Sequence, residues 1–105
     1  MSGPERITGP LVDVLEALLS ADGYELHGWA IMKSTKRSGP TIYKILERLE
    51  KAEWVTAAWE ELPPETNKPR RRFYKLTGQG AAEARAVLIK RERQASTTRP
   101  VLGGA

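Results

Sequence analysis

The 105-residue chain contains no cysteine and only one histidine, His27. The lack of cysteine excludes a disulfide framework, a thiolate metal site and a thiol nucleophile, and it fits a reducing cytosol. One histidine alone makes a poor metal site, and the sequence offers no nucleophile and orienting group to complete a catalytic set with it. We therefore expect no enzymatic activity, no metal and no cofactor, and we expect His27 to have a structural role at the start of a helix.

Long apolar runs are also missing. No stretch approaches the roughly 18 to 20 apolar residues that a membrane-spanning helix needs, and residues 1–6 lack the basic-then-apolar order of a signal peptide. We predict a soluble cytoplasmic protein of one domain. Because a chain of this length builds only a small core, a second subunit is expected to help stabilise it.

The net charge of +4 is unevenly distributed along the chain. Residues 26–51 hold six basic and two acidic side chains, residues 70–105 hold nine basic and two acidic ones, and the remaining segments are acidic. This segregation favours a surface for a polyanion that is built from two separate segments. A solvated basic face without a partner is the alternative.

Helical periodicity dominates the first half of the chain. It predicts a helix over residues 10–21, which Asp22-Gly23 ends, and a second helix from Leu26 to about Lys36. A third helix is predicted to begin at Ser38 or Gly39 and is the clearest element of the sequence. Its inward stripe consists of Ile42, Ile45, Leu46 and Leu49.

The period changes to that of a strand after Trp54. Residues 55–60 alternate, three prolines interrupt residues 62–69, and residues 70–76 predict a return strand. Thr77 is expected to cap a last helix that ends near Gln94. The predicted fold is mainly α with a small β-hairpin. It consists of a flexible N-terminal arm over residues 1–9, a winged helix-turn-helix over 10–76, a C-terminal helix over 77–94 and a disordered tail over 95–105.

In this arrangement the outer face of the third helix and the wing are candidates for binding double-stranded DNA. Hydroxyl side chains at a helix N-terminus suit a phosphate, and cations one helical turn apart reach base edges or backbone in a major groove. The wing adds a basic return strand for phosphates or the minor groove. The predicted DNA-binding residues are Ser38, Thr41, Tyr43, Lys44, Arg48, Lys68, Arg70, Arg71 and Arg72.

Each part of this site has a structural alternative. The two helix cations would instead pair with Glu47 and Glu50, the wing arginines would pair with Glu60 and Glu61, and Tyr43 would be an edge residue of the core. Two other functions also compete with specific DNA binding. They are a winged-helix module for protein–protein interaction without DNA specificity, and an RNA-binding role.

Four segments resemble the PadR family of bacterial transcriptional regulators. They are residues 26–32, which open with Leu-His-Gly, residues 38–43, residues 46–52, and the wing return strand over 68–77. The resemblance covers about residues 10–93. It implies a dimeric winged-helix DNA-binding protein that acts as a repressor.

The last helix is the predicted dimerisation element. At about 27 Å it is too long for the core beneath it to cover, and the resemblance implies that it packs against the first helix of a second subunit. The resemblance also raises a small-molecule effector site at that dimer interface, which the absence of aromatic residues from the last helix disfavours. The predicted interface residues are Leu11, Val14, Leu18, Ala84, Val87, Leu88 and Arg91.

Two further expectations concern individual positions. Of Trp29, Trp54 and Trp59, at least two are expected to pack in the core, because each buries a large area. Glu53 stands just before the first strand of the hairpin, where the family usually has glycine. If the left-handed conformation is kept there, it costs roughly 1 kcal/mol.

Overall fold

A computed structural model describes residues 7–98, with side chains described to residue 94. Residues 1–6 of the predicted arm and residues 99–105 of the predicted tail lie outside the described residues, whereas Gly9 and residues 95–98, also predicted as arm and tail, are helical. The elements are helix α1 (Gly9–Ser20), a 3₁₀ turn (Asp22–Tyr24), strand β1 (Glu25–His27), helices α2 (Gly28–Thr35) and α3 (Gly39–Lys51), strands β2 (Val55–Trp59) and β3 (Arg72–Leu76), and helix α4 (Gly78–Thr98). Over this range no helix has the length and apolarity that crossing a bilayer requires.

The capping residue and the apolar stripe predicted from the sequence explain where helix α1 begins and which of its faces is buried. The Thr8 side chain accepts a hydrogen bond from the Leu11 N–H at 3.3 Å, and Pro10 occupies the first turn. The stripe of α1 is buried in the core, as the periodicity predicts. After α1 the chain turns through Gly23, whose φ of +65° is the left-handed conformation expected of it.

The prediction that the second helix begins at Leu26 is wrong. Leu26 and His27 are extended and pair with Tyr74 and Phe73 of β3, so they form a third strand that the hairpin prediction lacked. The helix starts only at Gly28, where the His27 ring caps it by accepting a hydrogen bond from the Ala30 N–H at 3.2 Å. His27 therefore has the structural role at a helix start that the sequence predicts.

The sheet is antiparallel with the strand order β1-β3-β2. Strand β2 runs alongside β3 from the pair Val55–Leu76 to the pair Trp59–Arg72, and the long loop between them forms the wing. The core lies between α1, the inner stripe of α3 and one face of this sheet, and it includes Trp54.

Helix α4 begins where the sequence predicts. The Thr77 hydroxyl accepts a hydrogen bond from the Gly80 N–H at 2.8 Å, and Ala81 and Ala84 are buried against the core. The helix then extends to Thr98, four residues beyond its predicted end.

Candidate nucleic-acid interface

Helix α3 divides cleanly into a buried and an exposed face. Ile42, Ile45, Leu46 and Leu49 are buried against the core, as predicted. The side chains on the opposite face are exposed. Because its inner stripe fixes the helix, the outer face is held rigidly toward solvent. The exposed set is Thr41, Tyr43, Lys44, Glu47, Arg48 and Lys51.

The two central cations of this face are free. Within residues 7–94, the side chains of Lys44 and Arg48 form no ion pair, hydrogen bond or ring contact. The predicted alternative, in which Glu47 and Glu50 neutralise them, is not realised. Lys44 and Arg48 are one turn apart and both are available to an anion.

The N-terminus of α3 presents two exposed hydroxyl groups. The Ser38 hydroxyl donates to the Thr41 hydroxyl at 3.1 Å, and Ser38 does not cap the backbone of the helix. The first-turn N–H groups of α3 therefore have no side-chain acceptor within the described residues. Such a helix N-terminus favours a phosphate.

Tyr43 joins α3 to the start of α2. Its side chain is 45% exposed, and a Cβ atom added at Gly28 would lie only 2.4 Å from its hydroxyl oxygen. Gly28 is buried beneath this ring. The absence of a side chain at Gly28 thus lets the two helices of the helix-turn-helix approach, and Tyr43 is both a packing residue and a surface residue.

The three wing arginines have different environments. Arg71 donates to both carboxylate oxygens of Glu60, at 2.7 and 3.2 Å, and lies over the Phe73 ring. The hydrogen bonds from Arg71 hold the pKa of Glu60 below its usual value, and the same pairing raises the pKa of Arg71. Of the two interpretations of Arg71, DNA contact or pairing with Glu60, the structure therefore shows the pairing.

Arg72 contacts both the wing and α3. Its guanidinium lies 4.9 Å from the centre of the Trp59 ring and 3.9 Å from the Glu50 carboxylate. Burial raises the pKa of the neighbouring Tyr74, and the nearby Arg72 guanidinium opposes that rise. Only 31% of the Arg72 side chain is exposed, so this residue positions the wing and has less freedom than a solvated cation to move toward a phosphate.

Lys68 and Arg70 are the free cations of the wing. Both are exposed, and neither has a partner among the side chains that the structure describes. Arg70 immediately precedes the Glu60–Arg71 pair, so it extends from a segment that is anchored across the hairpin.

The tryptophans depart from expectation. Trp54 is only 4% exposed, but Trp29 is 58% exposed and Trp59 is 59% exposed. The prediction that at least two of them pack in the core is therefore wrong. The core is already filled by aliphatic side chains, and both exposed indoles lie against cations, Lys33 and Arg72.

The predicted dimer residues also separate into two groups. The side chains of Leu11, Val14, Leu18 and Ala84 have no exposed surface, because they pack inside the core of their own chain. They have no area to bury against a second subunit, so these four residues are corrected to core residues. The members on the outer half of α4 remain accessible: Val87 and Leu88 are half-buried and Arg91 is exposed.

One contact near the site was absent from the sequence predictions. Arg37, in the turn between α2 and α3, donates two hydrogen bonds to Asp13 of α1 at 2.8 and 3.2 Å. The pair joins the turn to α1 and so removes Arg37 from the free cations. Opposite charges 24 residues apart give no local sequence signal for such a contact.

The family model for the PadR-like family of transcriptional regulators matches residues 14–86. The chain belongs to this family. The match spans the helix-turn-helix, the wing and the first half of α4, which are the parts that carry the candidate interface. No curated protein sequence matches this PadR-like chain.

Solved structures with the same fold include regulators of two families. AbsC, a MarR family transcriptional regulator from Streptomyces coelicolor, is 19% identical with a TM-score of 0.70 over 85% of this chain and 57% of its own. A PadR family regulator from Eggerthella lenta is 21% identical with a TM-score of 0.66, over 83% and 75%. MepR of S. aureus, solved as a DNA complex, is 22% identical with a TM-score of 0.63, over 87% and 69%. The PadR-like chain spans less than two thirds of AbsC, and at these identities the likeness shows the winged-helix fold.

Proposed function

We propose that this PadR-like protein is a sequence-specific DNA-binding repressor that acts as a homodimer on a palindromic operator. The observation that carries the proposal is the outer face of α3, where Lys44 and Arg48 are exposed, unpaired and one turn apart on a rigid helix. This is the geometry with which a recognition helix reads a major groove. A protein-interaction module would favour an acidic or apolar face at the same place.

The exposed groups divide into readers and anchors. Lys44 and Arg48 are suited to base edges, since long cationic side chains donate to guanine. The N-terminus of α3 beside Ser38 is suited to a phosphate, and Arg70 in the wing to a second one. Arg71 and Arg72 contribute indirectly. The ion pair of Arg71 and the ring contact of Arg72 hold the wing in position.

The dimer part of the proposal rests on the outer half of α4. A helix of 21 residues is about 31 Å long, and its first half packs on α1 of the same chain. Beyond that contact Ile89 is 50% exposed and Leu88 is half-buried. A second copy of the chain would remove these apolar side chains from water. A two-fold dimer would also place its two recognition helices about 34 Å apart, which is one turn of DNA.

Selection of bound duplexes from a random DNA pool tests the function directly. The expected result is a palindromic consensus whose half-sites are about 10 base pairs apart. If each subunit makes three to five phosphate contacts, the logarithm of affinity should fall with the logarithm of salt concentration with a slope of roughly −5 to −9. Equal affinity for every duplex, or a slope near zero, would contradict the proposal.

A matched pair of variants separates base reading from general charge. Arg48→Ala should change discrimination among operator variants by about 1 to 3 kcal/mol if the side chain reaches a base edge. Lys75→Ala removes an equal charge from an exposed residue of β3 that belongs to neither the outer face of α3 nor the wing loop, and should leave discrimination unchanged. If the two variants behave alike, the assignment of α3 as the reader is wrong.

Light scattering tests the dimer. The wild-type chain should have the mass of two subunits at micromolar concentration, and Ile89→Asp should shift it to monomer because a charge cannot be buried unpaired in an apolar interface. Glu83→Ala, on the same helix but nearer its start, is the control. A wild type with monomer mass would refute the dimer, and a dimeric Ile89→Asp variant would place the interface elsewhere.

A further inference from the structure

A groove lies between the start of α2, the first turns of α3 and the base of the wing. We call it the aromatic groove. Its volume is about 450 Å³, within the usual range for sites that hold small organic molecules. Its walls combine ring systems with guanidinium groups, chiefly Trp29, Tyr43, Trp59, Tyr74, Arg70 and Arg72.

The charge of these walls selects for an anion. The lining side chains of the aromatic groove include three arginines and His27 but no aspartate or glutamate. Arg71 is neutralised by Glu60, and Arg72 lies over Trp59, which leaves Arg70 as the unpaired cation of the groove within the described residues. A ligand with one or a few phosphate groups therefore matches the groove better than a neutral or cationic ligand.

The two indoles offer flat surfaces to such a ligand. The Lys33 ammonium lies 4.6 Å from the centre of the Trp29 ring, and the Arg72 guanidinium lies 4.9 Å from that of Trp59. The His27 ring also stacks on Trp29, with the two ring centroids 6.1 Å apart, yet more than half of the surface of each tryptophan is exposed. An indole that keeps this much exposed surface beside a cation can stack a planar group on the exposed part of its ring.

Planar rings joined by phosphates describe a nucleic-acid strand whose bases are unpaired. An intact duplex keeps its base faces stacked inside, so it has phosphates for Arg70 but no free ring face for Trp29 or Trp59. A positively charged groove with exposed aromatic side chains is the arrangement by which proteins bind single strands without reading their sequence. We propose that the aromatic groove binds a short run of unpaired nucleotides, with bases stacked on Trp29 and Trp59 and phosphate at Arg70.

This binding activity is additional to duplex recognition. The two tryptophans lie on α2 and β2, apart from the outer face of α3 that carries the readers Lys44 and Arg48. Arg70 and Tyr43 belong to both sites, so variants of the tryptophans, and not of Arg70, separate the two activities, which can be measured on the same preparation of the full chain.

Fluorescence anisotropy with labelled single strands tests the proposal. The probes are oligo-dT and oligo-U of about 12 nucleotides, in the range of known single-strand site sizes. The wild-type chain should bind at least one of them, with quenching of tryptophan fluorescence as bases stack. Oligo-dU, which differs from oligo-U only in the 2′-hydroxyl, is added as a third probe. Equal affinity for oligo-dU and oligo-U indicates that the groove ignores the 2′-hydroxyl, whereas a preference identifies DNA or RNA as the source of the strand.

Variants at the indoles locate the binding. Trp29→Ala and Trp59→Ala should each weaken oligonucleotide binding by about 5- to 150-fold, the usual effect of removing one stacking ring. Trp29→Phe should recover much of the loss, because phenylalanine keeps a ring face. Trp29 is exposed on a helix, so its alanine variant is expected to fold normally, which circular dichroism and thermal melting verify. Lys75→Ala, which removes a charge from an exposed residue of β3 outside the groove lining, is the matched control and should leave oligo-dT binding unchanged.

Three results would overturn the proposal. The first is failure of all three probes to bind at a salt concentration where the selected duplex binds. The second is unchanged oligonucleotide affinity in both tryptophan variants. The third is an equal loss of duplex and single-strand affinity in Trp29→Ala, which would make the groove part of the duplex interface. Failure of the duplex selection with retained oligo-dT binding would refute the proposed repressor function alone.

Discussion

Gly80 lies where helix α4 meets the body of the domain, and replacing it with alanine should be costly. A Cβ atom added at Gly80 would lie 1.9 Å from the carbonyl oxygen of Trp54 and 2.6 Å from its carbonyl carbon. That carbonyl already accepts a hydrogen bond from the Thr77 N–H at 2.9 Å. The glycine therefore allows the first turn of α4 to lie directly on the backbone between α3 and β2.

The backbone at Trp54 has little freedom to move away. Its N–H donates to the Leu49 carbonyl at 2.9 Å, its side chain is buried, and the next residue, Val55, is paired with Leu76. Overpacking costs about 1 to 3 kcal/mol, and loss of the hydrogen bond from Thr77 adds about 0.5 to 1.5 kcal/mol. Alanine favours a helix over glycine, which offsets about 0.5 to 1 kcal/mol of this loss of stability. The free energy of unfolding should therefore fall by about 0.5 to 4 kcal/mol.

Urea denaturation of Gly80→Ala and Gly78→Ala provides the measurement and its control. Gly78 is in the same first turn, but no atom lies within 4 Å of a Cβ added there. The control should match or exceed the wild type in stability, because it keeps the propensity gain without the clash. If Gly80→Ala is as stable as Gly78→Ala, the close approach of α4 to Trp54 is not part of the folded protein.

Three further predictions concern stability, pH and charge. Glu53 has a φ of +63°, which favours glycine, so Glu53→Gly should raise the free energy of unfolding by about 0.5 to 1 kcal/mol in urea titrations. The control is Glu47→Gly inside α3, which should lower that free energy by about 1 kcal/mol because glycine disfavours a helix. The pairing with Arg71 lowers the pKa of Glu60 from its usual value of 4.5. The Glu60 carboxylate therefore stabilises the fold at pH values above 4.5, and this stabilisation is lost as the pH falls through the lowered pKa. Wild-type stability should then decline more steeply than that of Glu60→Gln below pH 4.5, and parallel curves would contradict the pairing. Arg70→Ala should weaken all duplexes alike and reduce the salt slope by about 1 per subunit, and a changed sequence preference would show that Arg70 reads bases.

The sequence predicted those parts of the fold that depend on local signals. The periodic stripe of α3, the cap at Thr77 and the turn at Gly23 each depend on neighbouring residues, and the structure confirms all three. The left-handed conformation at Glu53 also follows from a local requirement, since the chain must turn there from α3 into β2. Local rules determine these positions because the interacting groups are at most a few residues apart.

The missed elements depend on partners that are far along the chain. Strand β1 has three residues, too few for a period, and it exists because Tyr74 and Phe73 leave one edge of β3 open to pairing. Trp29 and Trp59 have the composition of core residues, and only the tertiary arrangement shows that aliphatic side chains already fill the core. Sequence composition predicts how much area a side chain is able to bury, whereas the fold decides whether a place for it exists.

The candidate site shows the same division between local and tertiary information. Sequence spacing placed Lys44 and Arg48 one turn apart on one helix face, and a helix alone is enough to fix that relation. The three consecutive wing arginines, by contrast, were equivalent in sequence. Tertiary contacts distinguish them: Arg71 is paired with Glu60, Arg72 lies over Trp59, and Arg70 is left free. Because a paired guanidinium must give up its partner before it binds a phosphate, the free arginine is the one whose charge contributes fully to binding an anion.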